Sequence, residues 1–493
     1  MVFSDSVFLF MFLPLTLAVY YAVPFAFKNT VLFLTGLLFY AWGEPFYVCL
    51  MLLSTAIDYT AGRLMAKYDD DNKKRKICLI VSVCMNVGLL AIFKYSDFLI
   101  DSFNGVFGTS ITNPVVLVNK ALNSLYPFGL NEKRVELPIG ISFYTFQSMS
   151  YTIDLYLRNI KVQKSFLNFA SYVSLFPQIV AGPIVRYEDV ANELESRTVN
   201  IAKISAGIGL FVKGLAKKVL LANNIGMVWT QIKAMDYSTI SVATAWLGII
   251  AFAFQIYFDF SGYSDMATGL GKMLGFEFPK NFDHPYISKS ISEFWRRWHI
   301  TLGSWFRSYV YIPLGGNRNG NFKTYRNLFI TWALTGLWHG ASWNFIFWGL
   351  YFFLFIYMEN TFLLEKFSRL PRFVSHLYAM VVVYFGWVLF RCESLGNLGA
   401  ILKGMFGLNH NGFIDLSTSV LFQNNLYLLI FCIIASTPLL KNIGTYIKRL
   451  DLVHYRIPYL TYAYEIVIPP VLLILSLLAL VGNSYNPFLY FQF

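Results

Sequence analysis

The sequence predicts an all-α, polytopic membrane protein, and the composition of the chain carries that prediction. Of the 493 residues, 56% are hydrophobic and only 13% are charged. A water-soluble domain carries about 25% charged residues, so this chain has too few to cover a soluble surface. Aromatic residues, which are part of that hydrophobic share, make up 18% of the chain and support the same prediction. Disordered chains, fibrous repeats and soluble enzymes with one membrane anchor are thereby excluded.

Apolar stretches of helical length recur along the whole chain and predict its helices. Because about 20 residues are needed to cross a bilayer, some stretches are too short, and we expect about 11–13 crossings plus re-entrant or interfacial helices. All belong to one predicted membrane domain, residues 1–493. No long internal repeat is present, so an inverted-repeat transporter gains no support. The predicted spans are 7–27, 30–42, 46–62, 77–93, 138–157, 166–184, 201–222, 240–260, 264–276, 327–341, 343–361, 376–390, 424–440 and 465–483.

The positive net charge predicts the orientation of the chain rather than a nucleic-acid partner. Lysine and arginine outnumber aspartate and glutamate by 39 to 27, which gives a net charge of +12. In membrane proteins such an excess collects in cytoplasmic loops. Placing all the basic clusters inside agrees with the predicted spans and puts both termini outside the cytoplasm. The clusters lie at 63–76, 158–164, 286–326, 366–372 and 441–456.

Several sequence patterns of known chemistry are absent. The five cysteines include no C-x-x-C pair, so they define neither a disulfide framework nor a zinc site. Motifs of the H-E-x-x-H, G-x-S-x-G and P-loop types do not occur. We therefore expect no metal site and no bound cofactor. The N-terminus lacks the basic flank of a signal peptide, so the first apolar stretch is interpreted as a retained helix.

Residues 286–326 form the most unusual loop of the chain. Arginines alternate with aromatic residues at 292–299 and 305–307, in a segment too charged to cross lipid and too aromatic for a free loop. Interfacial or re-entrant helices on the cytoplasmic side fit this pattern best. An aromatic belt with snorkelling arginines is the alternative interpretation.

Two of the six histidines, His299 and His339, are candidates for chemistry. His339 lies between two apolar spans, where an ionisable side chain is costly. The glycines Gly336 and Gly340 predict close backbone approach or a broken helix that lines a cavity. From these residues alone, a structural, hydrogen-bonded histidine is an equally good interpretation. The remaining histidines, at span ends or in loops, are assigned no role: His284, His376, His410 and His454.

Four aspartates fall inside predicted spans. They either form a proton relay or, as is more common, pair with a nearby base or cap a broken helix. The sequence leaves both interpretations open. The four residues are Asp58, Asp154, Asp259 and Asp265.

Long motifs are spread over the whole chain, at 176–178, 181–184, 258–267, 281–286, 294–299, 311–316 and 336–341. Together they resemble the membrane-bound O-acyltransferase family, and within it the bacterial alginate O-acetyltransferase branch. The resemblance implies many helices around a funnel that nearly pierces the membrane, with a cytoplasmic entrance for the acyl donor. His339 matches the essential histidine of the family and His299 its second histidine, so both are expected to be catalytic.

The resemblance also implies the reaction. The expected function is O-acetylation of a secreted or cell-surface polysaccharide, such as an alginate-like polymer, cellulose or peptidoglycan, with cytoplasmic acetyl-CoA as the donor substrate. A base near the attacking hydroxyl is needed, together with donors for the oxyanion, for which Trp338, Asn344 and His299 are candidates. Basic residues on the cytoplasmic face are expected to meet the donor phosphates: Arg296, Arg297 and Arg307.

Location and partners follow from the same resemblance. The protein is expected in the bacterial inner membrane, with an extracytoplasmic partner of the SGNH-hydrolase type that completes transfer to the polymer. Two alternatives remain open. One is D-alanyl transfer to teichoic acid, and the other is a transporter or flippase that moves a polysaccharide precursor without covalent chemistry.

The C-terminal hexapeptide, Phe488 to Phe493, follows the last predicted span and is expected outside the cytoplasm. The simpler interpretation is an interfacial aromatic anchor. Its spacing, Phe-x-Tyr-x-x-Phe, resembles the C-terminal motif of the small partner in the teichoic acid D-alanylation system, whose tyrosine accepts the acyl group. This resemblance implies that Tyr490 is an acyl carrier.

Overall fold

The structure, a computed structural model, is all-helical in the part of the chain that it describes. The described residues are 1–125, 129–392, 394–454, 459–482, 485–486 and 489. Within them, seven helices are long and apolar enough to cross a membrane, and no strand occurs. The predicted class, an all-α polytopic membrane protein, is confirmed.

The helices form two compact units. The first comprises Met1–Lys203 and Gly271–Pro279, and the second comprises Ile204–Leu270 and Lys280–Phe493. The single domain over residues 1–493 stays a prediction. The predicted catalytic histidines and arginines all fall in the second unit.

The first unit contains eight α-helices among its described residues and buries two of the four intraspan aspartates. Asp58 accepts hydrogen bonds from Ser82 Oγ at 2.5 Å and Asn86 Nδ2 at 2.8 Å. Asp154 accepts from Asn159 Nδ2 at 3.2 Å. Both carboxylates therefore have local partners. After a π-helical segment at Phe8–Phe12, the helices are α1 (Leu13–Ala22), α2 (Phe25–Ala41), α3 (Val48–Lys67), α4 (Asn72–Phe107), α5 (Pro114–Leu125), α6 (Ile141–Tyr156), α7 (Phe166–Val173) and α8 (Tyr187–Glu195).

The described residues of the second unit include three π-helical segments, at Lys217–Ala222, Arg307–Tyr311 and Glu359–Leu363. Such segments are common at functional sites. Its helices are α9 (Ile201–Ala216), α10 (Asn223–Lys233), α11 (Val242–Leu274), α12 (Ile291–Arg297), α13 (Ile300–Phe306), α14 (Asn321–His339), α15 (Trp343–Met358), α16 (Leu364–Ser368), α17 (Arg372–Arg391), α18 (Leu395–Met405), α19 (Leu416–Ser436), α20 (Leu439–His454) and α21 (Tyr459–Gly482).

Three predicted spans are wrong: one of them is not a continuous helix, and the other two are not separate helices. The stretch 166–184 is helical only to Val173, because Pro177 and Pro183 cannot continue a helix. The stretches 240–260 and 264–276 are one helix, α11. Gly262 lies inside this continuous helix, where the absence of a side chain allows close packing against a neighbouring helix. A Cβ at Gly262 would lie 2.7 Å from the carbonyl oxygen of Gly214.

The loop 286–326 folds into the short helices α12 and α13, followed by a π-helical segment. Ser290 caps α12, with its Oγ accepting from Glu293 N at 2.9 Å. The buried carboxylate of Glu359 accepts from the backbone N–H groups of Ile291 at 2.5 Å and Ser292 at 2.9 Å. Glu359 therefore fixes the start of the segment that carries the arginines.

Helices α14 and α15 form a hairpin with direct backbone contact. A Cβ at Gly336 would lie 2.4 Å from Phe345 O, and one at Gly349 would lie 2.4 Å from Trp332 O. No larger residue fits at either position without moving the helices apart. The close approach predicted at Gly336 is confirmed, and the hairpin places His339 at the last residue of α14.

Candidate active site

His299 sits at the junction between α12 and α13 and is 1% exposed. Its backbone adopts the left-handed conformation, with φ 45° and ψ 53°, which is uncommon for a residue other than glycine. The segment preceding α12 supports this junction, since Ile300 N donates to Asn281 O at 2.9 Å. The strained conformation aims the imidazole at Asn281 and away from a regular helix path.

Hydrogen bonds around Asn281 fix the tautomer of His299. The backbone N–H of Thr301 donates to Asn281 Oδ1 at 3.3 Å, so that atom is the amide oxygen and acts only as an acceptor. His299 Nδ1 lies 3.1 Å from the same oxygen. Nδ1 therefore carries the proton and Nε2 carries the lone pair, an assignment made from the hydrogen-bond network.

Burial lowers the pKa of His299 to about 3, because removal from water disfavours the charged imidazolium. The side chain is therefore neutral at pH 7. Its ring packs edge-on to Phe260, with centroids 4.7 Å apart. A neutral imidazole with this tautomer accepts a hydrogen bond through Nε2 but is a poor proton acceptor near neutral pH.

The low pKa of His299 predicts acid sensitivity. The unfolded chain binds a proton at His299 below about pH 6.5 and the folded chain does not, so stability is complete above that pH and falls as the pH drops towards about 3. Between pH 8 and pH 5 we expect a loss of about 2 kcal/mol from this group. Thermal unfolding in detergent at both pH values should show a smaller acid shift in His299→Gln than in the wild type. Equal shifts would contradict the buried neutral state.

His339 lies in a cage of aromatic rings and is 7% exposed. Its ring centroid is 4.8 Å from Trp348 on α15, 5.4 Å from Phe390 on α17 and 5.0 Å from Trp338. Three sides of the imidazole thus face rings on three helices. These rings shield the imidazole from water, and their contacts restrict its orientation.

Trp338 contacts both histidines. Its ring centroid is 6.0 Å from that of His299 and 5.0 Å from that of His339. The two predicted catalytic residues are therefore neighbours through one shared indole ring, although they come from different parts of the sequence.

A cavity of about 440 Å³, here called the arginine cavity, brings His299 together with two predicted donor-binding residues. Arg296 and Arg307 are both exposed at its wall, so they hold positive charge at the solvent side while His299 lies buried. His339 is not part of this lining. The lining residues are Ser292, Trp295, Arg296, Trp298, His299, Ile300, Leu302, Gly303, Ser304, Phe306, Arg307, Tyr311, Leu328, Thr331, Trp332, Thr335 and Ile356.

Arg297 points elsewhere. Its guanidinium pairs with Glu293 Oε1 at 2.9 Å and donates to the backbone oxygen of Asp283 at 3.0 Å. These contacts tie α12 to the preceding turn. A donor-binding role for Arg297 stays a prediction.

Two of the three predicted oxyanion donors already have acceptors within the chain. His299 Nδ1–H serves Asn281, and Asn344 Nδ2 donates to Phe390 O at 3.1 Å. Trp295, which the sequence analysis did not single out, lines the arginine cavity, and its buried Nε1 has no acceptor among the described residues. A buried N–H normally finds a partner, so Trp295 is a further candidate to donate to a bound acyl group.

The intraspan aspartates of α11 pair with lysines, as the pairing interpretation expects. Lys218 Nζ lies 2.7 Å from Asp259 Oδ1, and Lys217 Nζ lies 2.6 Å from Asp265 Oδ2. Lysines inside the apolar stretch 201–222 were the available signal for this pairing.

Tyr490 lies outside the described residues, as does the rest of the hexapeptide except Leu489. That leucine is 4% exposed and belongs to the hydrophobic core of the second unit. The carrier role of Tyr490 stays a prediction.

Similarity to known proteins covers the whole chain. Residues 44–401 match the family described as MBOAT, membrane-bound O-acyltransferase family. Over the full length of both proteins, the chain is 37% identical to the "Probable alginate O-acetylase AlgI" of Azotobacter vinelandii. It is 32% identical to the "Peptidoglycan O-acetyltransferase" of Helicobacter pylori, over 83% of this chain and 80% of that protein.

Similarity to teichoic acid enzymes is more limited. The "Teichoic acid D-alanyltransferase" of Bacillus subtilis is 27% identical over 51% of this chain and 68% of that protein. The two O-acetylating relatives thus align with more of the chain, and at higher identity.

Proposed function

The chain belongs to the membrane-bound O-acyltransferase family, and on that premise we propose that it moves acetyl groups from cytoplasmic acetyl-CoA across the membrane for O-acetylation of a secreted or cell-surface polysaccharide. It is an acyltransferase. The observation that carries the donor side of the proposal is the arginine cavity, in which exposed Arg296 and Arg307 share one wall with buried His299. The two relatives named for O-acetylation support acetyl as the transferred group.

The arginine cavity suits a donor with a charged end and an acyl end. Arg296 and Arg307 form no ion pair with a carboxylate among the described residues, so both guanidinium groups are available to phosphate oxygens. Arginine binds phosphate through paired, charge-assisted hydrogen bonds. Trp295 and Trp332 also line the cavity, and rings that exclude water strengthen hydrogen bonds to a reacting thioester.

The proposed reaction uses His339 as the base. A hydroxyl oxygen attacks the thioester carbonyl, a C–O bond forms, and the C–S bond breaks. The hydroxyl proton passes to the imidazole of His339 and then to the departing thiolate, which leaves as the thiol of coenzyme A. His299, held neutral by burial, orients the reacting groups through Nε2. This division of roles also explains two histidines in such different surroundings.

Tyr490 is proposed as the first acceptor. A phenol has a pKa near 10, so it is a weak nucleophile at pH 7 until a base removes its proton, and phenolate is in turn a good leaving group. An extracytoplasmic partner of the SGNH-hydrolase type then moves the acetyl group from the tyrosine to the polymer. Coenzyme A never leaves the cytoplasmic side in this scheme.

We place the protein in the bacterial inner membrane with the basic clusters in the cytoplasm and both termini outside. The corrections remove two of the four predicted crossings between the basic clusters at 158–164 and 286–326: the stretch 166–184 is no longer a crossing, and α11 counts as one crossing instead of two. Because two is even, both clusters remain on the same side. This orientation puts the arginines on the side of acetyl-CoA and the C-terminus on the side of the polymer.

The test of the function uses purified, full-length protein in liposomes with radiolabelled acetyl-CoA. We expect thioester cleavage and appearance of label on the protein, with labelled D-alanyl thioesters inactive. Transport of a polysaccharide precursor without any thioester cleavage would contradict the proposal. Cleavage of only the D-alanyl donor would reassign the acyl group.

Arg296→Ala and Arg307→Ala are each expected to raise the apparent KM for acetyl-CoA about tenfold, the effect of one lost charge-assisted hydrogen bond. The kcat should change little, because the contact is equal in the bound donor and in the transition state. Initial rates over a range of acetyl-CoA concentrations give both values. Lys323→Ala is the matched control, since Lys323 is exposed in the same basic loop and does not line the arginine cavity. An unchanged KM in both arginine variants would remove them from the donor site.

A further inference from the structure

A buried ion pair in the second unit contacts the C-terminal segment of the chain, the segment that carries Tyr490 in the proposed reaction. Lys218 and Asp259 lie 2.7 Å apart, with side chains 1% and 3% exposed. Lys218 Nζ also donates to Asn223 Oδ1 at 3.0 Å. The three side chains, from the π-helical segment before α10, the first residue of α10 and α11, form one polar cluster surrounded by core residues, here called the lysine–aspartate socket.

The ligand of the lysine–aspartate socket is the C-terminal segment of the same chain. The backbone N–H of Leu489 donates to Asp259 Oδ2 at 2.8 Å. Asn223 Nδ2 donates to Asn486 Oδ1 at 3.2 Å. Asn486 is therefore held through its side chain and Leu489 through its backbone.

Buried ion pairs are a poor source of stability, because desolvation of both charges offsets their attraction, and apolar replacements are often as stable. The presence of such a pair is better explained by a role in fixing which residue of a neighbouring segment binds at that point. Here each Asp259 oxygen has its own partner: Oδ1 faces Lys218 and Oδ2 faces the Leu489 amide. A charged acceptor for a backbone N–H gives a stronger hydrogen bond than a neutral one, so Asp259 specifies the register of the segment at Leu489.

We propose that Lys218, Asn223 and Asp259 are positioning residues that dock the C-terminal segment at Leu489 and thereby present the next residue, Tyr490, for acyl transfer. This inference rests on the proposed carrier role of Tyr490, but the docking itself does not. The lysine–aspartate socket binds the backbone amide of Leu489 and the side-chain amide of Asn486, so its ligand is a peptide segment of this chain.

The test combines hydrogen exchange at the Leu489 amide with kinetics, in purified full-length protein. Leu489→Pro removes the N–H and leaves Lys218 and Asp259 paired. Leu489→Met is the matched control, because it keeps the N–H and nearly the same volume. We expect slow exchange of this amide in the wild type and in Leu489→Met. In Leu489→Pro, kcat for acetyl-tyrosine formation should fall at least about tenfold with an unchanged KM for acetyl-CoA, as for the loss of one hydrogen bond to a charged group.

A double variant removes the acceptor instead of the donor. Lys218→Met with Asp259→Leu replaces the ion pair by apolar side chains, which avoids leaving one charge buried alone. Exchange of the Leu489 amide should accelerate at least about tenfold in this variant, as expected for the lost charge-assisted hydrogen bond. Unprotected exchange in the wild type, or wild-type protection and kcat in the double variant, would overturn the inference.

The failures of the two proposals are distinguishable. Tyr490→Phe should leave the protection of the Leu489 amide unchanged, since it alters neither donor nor acceptor. If protection follows the expected pattern but no acetyl ester forms on Tyr490 in any protein, the carrier role fails and the docking site stands. If the ester forms equally in Leu489→Pro and Leu489→Met, the positioning role fails and the carrier role stands.

Discussion

Replacing His339 with alanine is expected to lower acetyl transfer by about 10²–10⁴-fold, the contribution typical of a general base. The protein should remain inserted and folded, because the rings of Trp338, Trp348 and Phe390 belong to three helices that also contact other core residues. Release of the free thiol of coenzyme A from acetyl-CoA measures the loss. His339→Gln retains a polar side chain of similar size and should be equally inactive, which separates the lost base from a packing defect.

The matched control for His339 is His410→Asn. His410 is exposed and has a φ of 60°, a conformation that asparagine tolerates, so this variant should retain wild-type activity. Gel filtration and thermal unfolding in detergent report on the fold of all three variants. If His339→Ala is inactive only because folded protein is lost, or if His339→Gln keeps its activity, then His339 is a structural residue.

The substitution Tyr490→Phe is expected to reduce polymer acetylation to background in cells that contain the partner protein. Phenylalanine keeps the aromatic ring and any membrane anchoring but has no hydroxyl to accept the acetyl group. Mass spectrometry of the C-terminal peptide from wild-type protein incubated with acetyl-CoA should show an added acetyl group. That ester should be absent from Tyr490→Phe and from His339→Ala.

Tyr427→Phe provides the same chemical change at a site without a proposed role, since Tyr427 is 78% exposed on α19. Polymer acetylation in cells with Tyr427→Phe should match that in cells with the wild-type protein. Survival of polymer acetylation at wild-type level in Tyr490→Phe would show that the hexapeptide is only an aromatic anchor and that the acetyl group reaches the partner by another route.

The sequence was sufficient for the fold class, because that class depends on composition and on apolar stretches of helical length. The catalytic roles of His299 and His339 stay predictions. The glycine at 336 also predicted a close helix contact correctly. Gly262 shows the limit of such reasoning. The predicted spans 240–260 and 264–276 left a gap at this glycine, but the structure has one helix there, in which Gly262 allows α11 to approach Gly214. Only the position of the neighbouring helix decides between a break and such a contact.

Long-range partners could not be predicted from local patterns. Arg296 and Arg297 are adjacent, yet Arg296 lines the arginine cavity while Arg297 pairs with Glu293. Consecutive residues on a helix point about 100° apart, so their roles depend on how α12 is rotated. The same holds for Lys218 and Asp259, which lie on separate helices and whose pairing requires knowledge of how those helices pack.

Asp259 and Phe260 are consecutive residues of α11, and each touches a different part of the proposed machinery. Asp259 accepts from the amide of Leu489, and Phe260 packs edge-on to the ring of His299. Because the two residues are adjacent in one helix, a rotation of α11 about its axis would shift both contacts together. Helix α11 therefore couples the position of Leu489 to that of the His299 imidazole, so that a displacement of one is transmitted to the other.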